Sequence, residues 1–196
     1  LIFGVSRVVN VAGGSLYMLG AYVAWTSVAW VGRGPLGFWG GVLLATLVVA
    51  AIGALVESLL LRRIYAAPEL LQLAATFGVV LIVRDLTLAT WGAEDLLGPR
   101  AAGFAGVVDL FGRATPTYEL LLIVVGPLVL AGLWWLLVRT RFGVQIRAAT
   151  ENRALVGALG INEARLFTQV FALGAGLAGL AGALQLPREP ANLGMD

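Results

Sequence analysis

The sequence predicts an all-α membrane protein, a polytopic bundle of about five to six transmembrane helices. Of the 196 residues, 60% are hydrophobic and only 12% are charged, and the mean hydropathy is +0.93. A soluble globular domain carries about 25% charged residues. Several apolar stretches reach the roughly 20 residues that cross about 30 Å of hydrocarbon, where only a helix satisfies its own backbone within one segment.

The first element is an incomplete span followed by a polar interruption. Residues 1–12 have the composition of the second half of a span, so we expect the chain to be part of a longer protein. The apolar run is then interrupted by Asn10, Gly13, Gly14 and Ser15 before it resumes over 16–31. Irregular backbone survives inside a membrane only where protein covers it or it lines a cavity. These four residues are candidates for a solute path, and the alternative is a tight turn at the membrane surface.

Four further spans are predicted, over 36–61, 70–91, Thr115 to Val138, and 164–186. Glu57 and the arginines after it mark one end of the first of these, and Thr115 with Pro116 is an N-cap and N1 pair. The longest connection, 92–118, contains alternating pieces that predict a loop with a small hairpin. In the last span, small residues recur every four positions and predict close helix packing; they are Gly174, Ala178 and Gly182, with Ala175 and Gly179.

Two charges, Arg84 and Asp85, lie well inside the 70–91 span. A charge within a span costs several kcal/mol unless it is paired or hydrated, so both are expected to face the bundle interior. Neighbouring residues of a helix point about 100° apart and do not pair with each other. Either the two line a polar cavity, or each forms an interhelical ion pair.

A polar segment, 139–165, separates the last two spans and predicts a short helix from Val144 to Leu159. Ala148 and three following positions at helical spacing form one stripe. Gly160 occupies the position where a left-handed residue ends a helix, and Asn162 is a plausible N-cap for the next one. The stripe comprises Ala148, Asn152, Leu155 and Leu159. Such a helix needs a protein partner, or it lies as an amphipathic helix on the lipid surface.

The arginines set the orientation. If 139–165 is cytoplasmic, seven arginines lie inside and four outside, which agrees with the positive-inside rule. The inner set is Arg62, Arg63, Arg139, Arg141, Arg147, Arg153 and Arg165, and the outer set is Arg33, Arg100, Arg113 and Arg188.

The composition also excludes several functions. The chain has no Cys and no His, which removes thiol chemistry, imidazole proton relays and the usual transition-metal sites. No GxxxxGK[ST] motif is present, so nucleotide hydrolysis would belong to another chain. The net charge is only +2 and the arginines are scattered, so we expect no nucleic-acid partner and no cofactor.

Several stretches carry a family resemblance. RFGVQIRAATENRALVGALGIN followed by FALGAGLAGLAGAL resembles the coupling segment and next span of ABC importer permeases. With IFGVSRVVNVAGGSLYMLGAY, ESLLLRRIYAAP and LAATFGVVLIV, the chain is similar to the high-affinity branched-chain amino acid permease family. The resemblance implies a single permease domain over 1–196, with 139–165 as its cytoplasmic coupling loop. It places Arg147, Ala148, Glu151, Leu155, Gly160 and Ile161 in the element that docks into the ATPase.

The resemblance also implies partners and a location. They are two cytoplasmic ATP-binding subunits, a second permease subunit that is a copy or a homologue, and an external solute-binding protein, assembled in the bacterial plasma membrane. The chain departs from the family's NFAHGE motif, because residues 10–15 read NVAGGS. The solute is therefore a branched-chain or related amino acid, or another small polar molecule such as a sugar, amide or urea. An ion-coupled secondary transporter and a membrane-embedded enzyme are the other classes considered; only Asp85 is placed to serve the former, and no catalytic constellation supports the latter.

Overall fold

The computed structural model describes residues 11–32, 34–65, 67–98, 101, 103–104, 106–110, 113–151, 156–157 and 160–195. Its main elements, in chain order, are α1 (Gly13–Val31), α2 (Pro35–Ile64), α3 (Glu69–Trp91), β1 (Val107–Leu110), β2 (Arg113–Pro116), α4 (Thr117–Arg139), α5 (Arg141–Glu151) and α6 (Glu163–Gln185). Within α2, Glu57–Leu61 form a π-helical turn and Arg62–Ile64 a final α-helical turn. The predicted all-α, multi-pass membrane fold is confirmed.

Four of these helices are long and apolar enough to cross a membrane: α2, α3, α4 and α6. The remaining long helix, α1, has 19 residues and so extends about 28 Å, close to the hydrocarbon thickness. The predicted span boundaries agree with the observed helices to within a few residues. The half-span predicted over residues 1–12 lies almost wholly outside the described residues, which begin at Val11.

The core is formed by α1, α2 and α6, which pack against one another pairwise. Their backbones approach closely: a Cβ atom built on Gly20 would lie 2.4 Å from the carbonyl oxygen of Gly179, and one on Gly182 would lie 1.9 Å from that of Tyr17. Small residues permit this approach in a membrane, where lipid supplies no hydrophobic force between helices. The predicted close packing of α6 is therefore confirmed at Gly179 and Gly182.

The outer helices are less enclosed. α3 directs a regular line of side chains at the core, and among the described residues of α4 only Tyr118 is buried. The line from α3 is Gln72, Thr76, Val79, Val83 and Thr87. Further along, an apolar groove of about 420 Å³ separates α4 from α6, lined by residues such as Leu122, Val129 and Leu180.

The predicted hairpin is confirmed, and it closes one end of the bundle. β1 pairs antiparallel with β2, with Val107 opposite Pro116. The chain after α6 joins the same end, because Leu96 and Ala191 exchange two backbone hydrogen bonds of 2.9 Å. We call this end of the bundle the hairpin end. We call the opposite end, where the turn after α2 meets α5, the α5 end.

One prediction of local structure is wrong. Thr115 and Pro116 do not begin α4 as an N-cap and N1 pair, because the ladder with β1 holds both in an extended strand and the helix begins at Thr117. Gly13, Gly14 and Ser15 form the first turn of α1, directly after a turn at Ala12, and residues 1–10 lie outside the described residues, so the predicted interruption before 16–31 stays a prediction. The Ser15 hydroxyl donates to the Ala12 carbonyl oxygen at 3.0 Å, so a polar side chain is satisfied locally inside a buried turn.

Candidate functional site

The short helix α5 begins at Arg141, three residues before the predicted start. Thr140 is extended and acts as its N-cap: its hydroxyl accepts a hydrogen bond from the Gly143 N–H at 3.2 Å, and its carbonyl accepts from the Val144 N–H at 3.2 Å. A threonine that caps the third N–H of a helix is a recognisable sequence signal, so this start was predictable. A Cβ atom on Gly143 would collide with the Leu137 backbone, so glycine permits the tight turn between α4 and α5.

One face of α5 is fixed to the bundle and the other is open. Gly143, Ile146 and Ala149 are buried, three residues apart. Ile146 and Ala149 belong to an apolar cluster with Val156 and the first turns of α6, comprising Leu166, Phe167 and Val170. The opposite face exposes Arg141, Val144, Arg147 and Glu151. α5 therefore packs against the start of α6 through this cluster, while its other face presents a mixed charged and apolar surface.

The structure locates most of the predicted coupling residues around this helix. Arg147 donates a hydrogen bond to the Leu137 carbonyl, and Glu151 is exposed at the end of α5. Ala148 and Ile161 pack at the edge of the cluster, so Ala148 faces the bundle in part rather than a partner. Leu155, with most of the predicted leucine stripe, lies outside the described residues.

The helix stop and restart after α5 are confirmed. Gly160 has φ +77° and its N–H donates to the Gly157 carbonyl at 3.0 Å, while the Ile161 N–H donates to the Val156 carbonyl at 3.3 Å. This pair of bonds is a Schellman motif, which needs a left-handed residue at Gly160. Asn162 then caps α6 by accepting from the Arg165 N–H at 3.0 Å. The chain thus passes from the segment after α5 into α6 through two capping motifs, one that ends a helix at Gly160 and one that starts α6 at Asn162.

A buried charged cluster lies beside this segment, and sequence reasoning missed it. The Glu57 side chain is 0% exposed inside the π-helical turn of α2. Its Oε1 accepts from the Tyr65 hydroxyl at 2.9 Å, and its Oε2 accepts from Arg62 Nη2 at 3.3 Å and from the Thr168 hydroxyl of α6 at 2.5 Å. Arg62 Nη2 also donates to Thr168 Oγ1 at 2.7 Å. We call Glu57, Arg62, Tyr65 and Thr168 the Glu57 cluster.

The π-helical turn explains why this cluster was missed. Glu57 and Arg62 are five residues apart, and an ordinary α-helix would point their side chains about 140° apart. The wider turn brings both side chains to Thr168, whereas the sequence pattern alone indicates a simple charged helix end. The sequence signal for this cluster is a glutamate followed by two arginines and a tyrosine near one helix end, and it does not reveal that the glutamate is buried.

The residues predicted to line a solute path are dispersed. Asn10 lies outside the described residues, and Gly13, Gly14 and Ser15 form the start of α1. Arg84 and Asp85 are both exposed on the face of α3 that points away from the core, so the prediction that they face the interior of this chain is wrong. Among the described residues the salt bridge found joins Arg62 to Glu57, so neither charge of α3 has an ion-pair partner there.

The bundle and its capped polar helix define the chain as a multi-pass helical membrane protein, and comparison identifies its family. The family profile described as "Branched-chain amino acid transport system / permease component" matches residues 1–192. The chain belongs to this family of membrane permeases.

Individual relatives are distant but match along almost the whole chain. The chain is 26% identical to the high-affinity branched-chain amino acid transport system permease protein LivH of Escherichia coli (strain K12), over 94% of this chain and 62% of that protein. It is 26% identical to BraD of Pseudomonas aeruginosa with the same coverage, and 32% identical to a probable LivH of Methanocaldococcus jannaschii, over 94% of this chain and 58% of that protein. The chain thus spans about three fifths of the length of these relatives. No solved structure matches.

Proposed function

We propose that this chain is a membrane-spanning permease subunit of an ATP-driven ABC importer for branched-chain or related amino acids. In this proposal α5 and the turn through Ile161 form the element that docks into a cytoplasmic ATPase subunit. The observation that carries the proposal is the apolar packing of a short, partly exposed helix against the start of a transmembrane helix, in a chain that belongs to a transport permease family.

The surface of α5 suits a protein partner. Its exposed face combines Arg141, Arg147 and Glu151 around Val144, which is 55% exposed. A charged rim around an apolar contact is typical of a helix received by a groove. A lipid-surface helix would instead carry a continuous apolar face, and the apolar face of α5 is already used against α6.

A force applied to α5 would reach the membrane spans directly. Ile146 and Ala149 share one apolar cluster with Phe167 of α6, so displacement of α5 moves the first turns of α6 with it. Packed elements transmit small shifts because close-packed interfaces do not deform continuously. ATP-driven closure of the partner would therefore reorient α6, the helix at the centre of the bundle.

A second permease subunit would cover the remaining polar surface. Arg84 and Asp85 are exposed on α3 and would meet hydrocarbon in an isolated chain, which costs several kcal/mol. A neighbouring permease subunit or a water-filled path beside it removes that cost. We place the external solute-binding protein at the hairpin end, opposite the docking element, in a bacterial plasma membrane whose cytoplasmic face carries the α5 end.

Transport measurements test the proposal. In the full-length protein assembled with its neighbouring subunits, leucine uptake should stop when the ATPase is inactivated and persist when the proton gradient is collapsed. Glu151→Lys reverses a charge on the exposed face, and Gly160→Val forces a branched residue into φ +77°. Both should uncouple ATP hydrolysis from uptake, whereas Glu69→Lys, a charge reversal at the α5 end outside the docking helix, should not.

The outcomes separate the alternatives. Uptake that follows the proton gradient and ignores the ATPase would identify a secondary transporter. Suppose that uptake is ATP-dependent and is inhibited by a sugar, an amide or urea, and not by excess leucine or valine. The assignment as an importer would then stand, and the proposed solute would change. Normal uptake in both Glu151→Lys and Gly160→Val would remove the docking role of this segment.

A further inference from the structure

We propose that the Glu57 cluster is the joint that makes α2 move with α6 when α5 is displaced, and that Glu57 is a positioning residue for transport. This inference rests on the proposed function, because it assigns the route by which the docking helix acts on a second span. The cluster lies in a π-helical turn of α2 and holds the second turn of α6 by side-chain hydrogen bonds.

The burial of Glu57 shows that these contacts are strong constraints. A carboxylate removed from water is stabilised only if its oxygens are paired, and both oxygens of Glu57 are occupied. Arg62 supplies the opposite charge and reaches further, to the Ala164 carbonyl of α6 at 3.4 Å. Separation of α2 from α6 at this level would leave a buried charge without its partner from α6. The two helices are therefore expected to shift together here.

The π-helical turn gives this joint a second property. Its i+5 hydrogen bond, from the Arg62 N–H to the Glu57 carbonyl, replaces the regular helical ladder over one turn. Single π-helical turns inside α-helices are frequently found at functional sites. We therefore expect the α2 backbone to bend at Glu57–Leu61 while the side-chain hydrogen bonds to α6 are kept.

Contacts connect the cluster to α5 without a gap. The Tyr65 ring packs on that of Phe167, with centroids 5.6 Å apart, and Phe167 shares the apolar cluster with Ile146 and Ala149 of α5. Tyr65 in turn donates its hydroxyl to Glu57. One contiguous set of packed and hydrogen-bonded side chains thus joins the docking helix to the inner end of α2.

The test measures solute taken up per ATP hydrolysed, in the complete importer reconstituted in liposomes. Glu57→Gln keeps the side-chain shape and removes the charge. We expect ATP hydrolysis to stay within about two-fold of wild type while uptake per ATP falls about ten-fold, a loss typical of residues that couple sites without touching a ligand. Tyr65→Phe and Thr168→Val should also lower uptake per ATP. Thr168→Ser keeps the hydroxyl, so its uptake per ATP should stay close to that of wild type.

Matched controls separate coupling from folding. Ser58→Ala alters the same π-helical turn. Among the described residues, the Ser58 hydroxyl donates to the Leu55 carbonyl within the helix and makes no bond to α6, so this variant should leave uptake per ATP unchanged. Should Glu57→Gln fail to assemble, the pair Thr168→Val and Thr168→Ser decides the question, since both keep the size of the side chain near that of threonine.

Two results would overturn the inference. One is wild-type uptake per ATP in Glu57→Gln or, where that variant does not assemble, in Thr168→Val. The other is a variant in which ATP hydrolysis and uptake both fall by the same factor as the amount of assembled complex. A purely structural role of Glu57 would produce that result. A wild-type complex that shows no ATP-dependent uptake at all would refute the proposed function instead, so the two failures are distinguishable.

Discussion

Replacement of Gly182 by alanine should force α1 and α6 apart at their closest approach. The added Cβ would lie 1.9 Å from the Tyr17 carbonyl oxygen and 3.2 Å from the Ala21 nitrogen. Ordinary contact begins at 3.4 Å, so the two backbones must separate locally by about 1.5 Å. Both obstructing atoms belong to the backbone and cannot rotate away. Overpacking of this kind costs about 1–3 kcal/mol, and we expect a loss of stability in the upper part of that range.

The assay is reversible unfolding of the purified chain in mixed micelles, followed by helix content as denaturing detergent increases. Gly182→Ala should unfold at a lower fraction of denaturing detergent than wild type. Gly132→Ala is the matched control, because nothing lies within 4 Å of its Cβ position on α4 and alanine favours a helix over glycine by about 1 kcal/mol. An unchanged midpoint for Gly182→Ala would refute the close crossing of α1 and α6.

Two further predictions concern orientation and capping. The chain contains no cysteine, so a single introduced cysteine can be labelled without background. A membrane-impermeant maleimide should label Ala93→Cys on intact cells and Val144→Cys only after permeabilisation. The reverse pattern would invert the orientation and refute the docking proposal. Asn162→Ala removes the acceptor for the Arg165 N–H and should destabilise the chain by about 1 kcal/mol, whereas Asn162→Asp, which keeps the acceptor, should not. Equal unfolding midpoints for the two variants would show that the cap contributes nothing.

The helices and their start and stop signals were predictable because they depend on local chemistry. Apolar length marks the spans, a left-handed glycine ends the segment after α5, and Asn162 starts α6, and each of these depends on residues within one or two turns. Even the misplaced start of α5 has a local cause that the sequence contains, the cap by Thr140.

The tertiary partners were less predictable, since periodicity does not state which residue meets which. The sequence predicts that Glu57 marks a helix end, yet the environment of its side chain depends on a π-helical turn and on Thr168, 111 residues further along the chain. Arg84 and Asp85 were expected to face inward because charges avoid lipid, but the core takes Thr76 and Thr87 of α3 instead. The prediction applied a rule about the surroundings of α3 to the interior of one chain, and in the proposed importer a second permease subunit would supply those surroundings.

The outward charges of α3 make insertion of the isolated chain into a membrane costly. Arginine and aspartate at the centre of a helix add about 2.5–3.5 kcal/mol each to its insertion from the translocon. Both charges of α3 lie in the second half of a 23-residue helix whose apolar window is only 22% buried. In the proposed importer, contact with a second permease subunit would lower this insertion cost, so we expect the chain to insert more efficiently when it is synthesised together with that subunit.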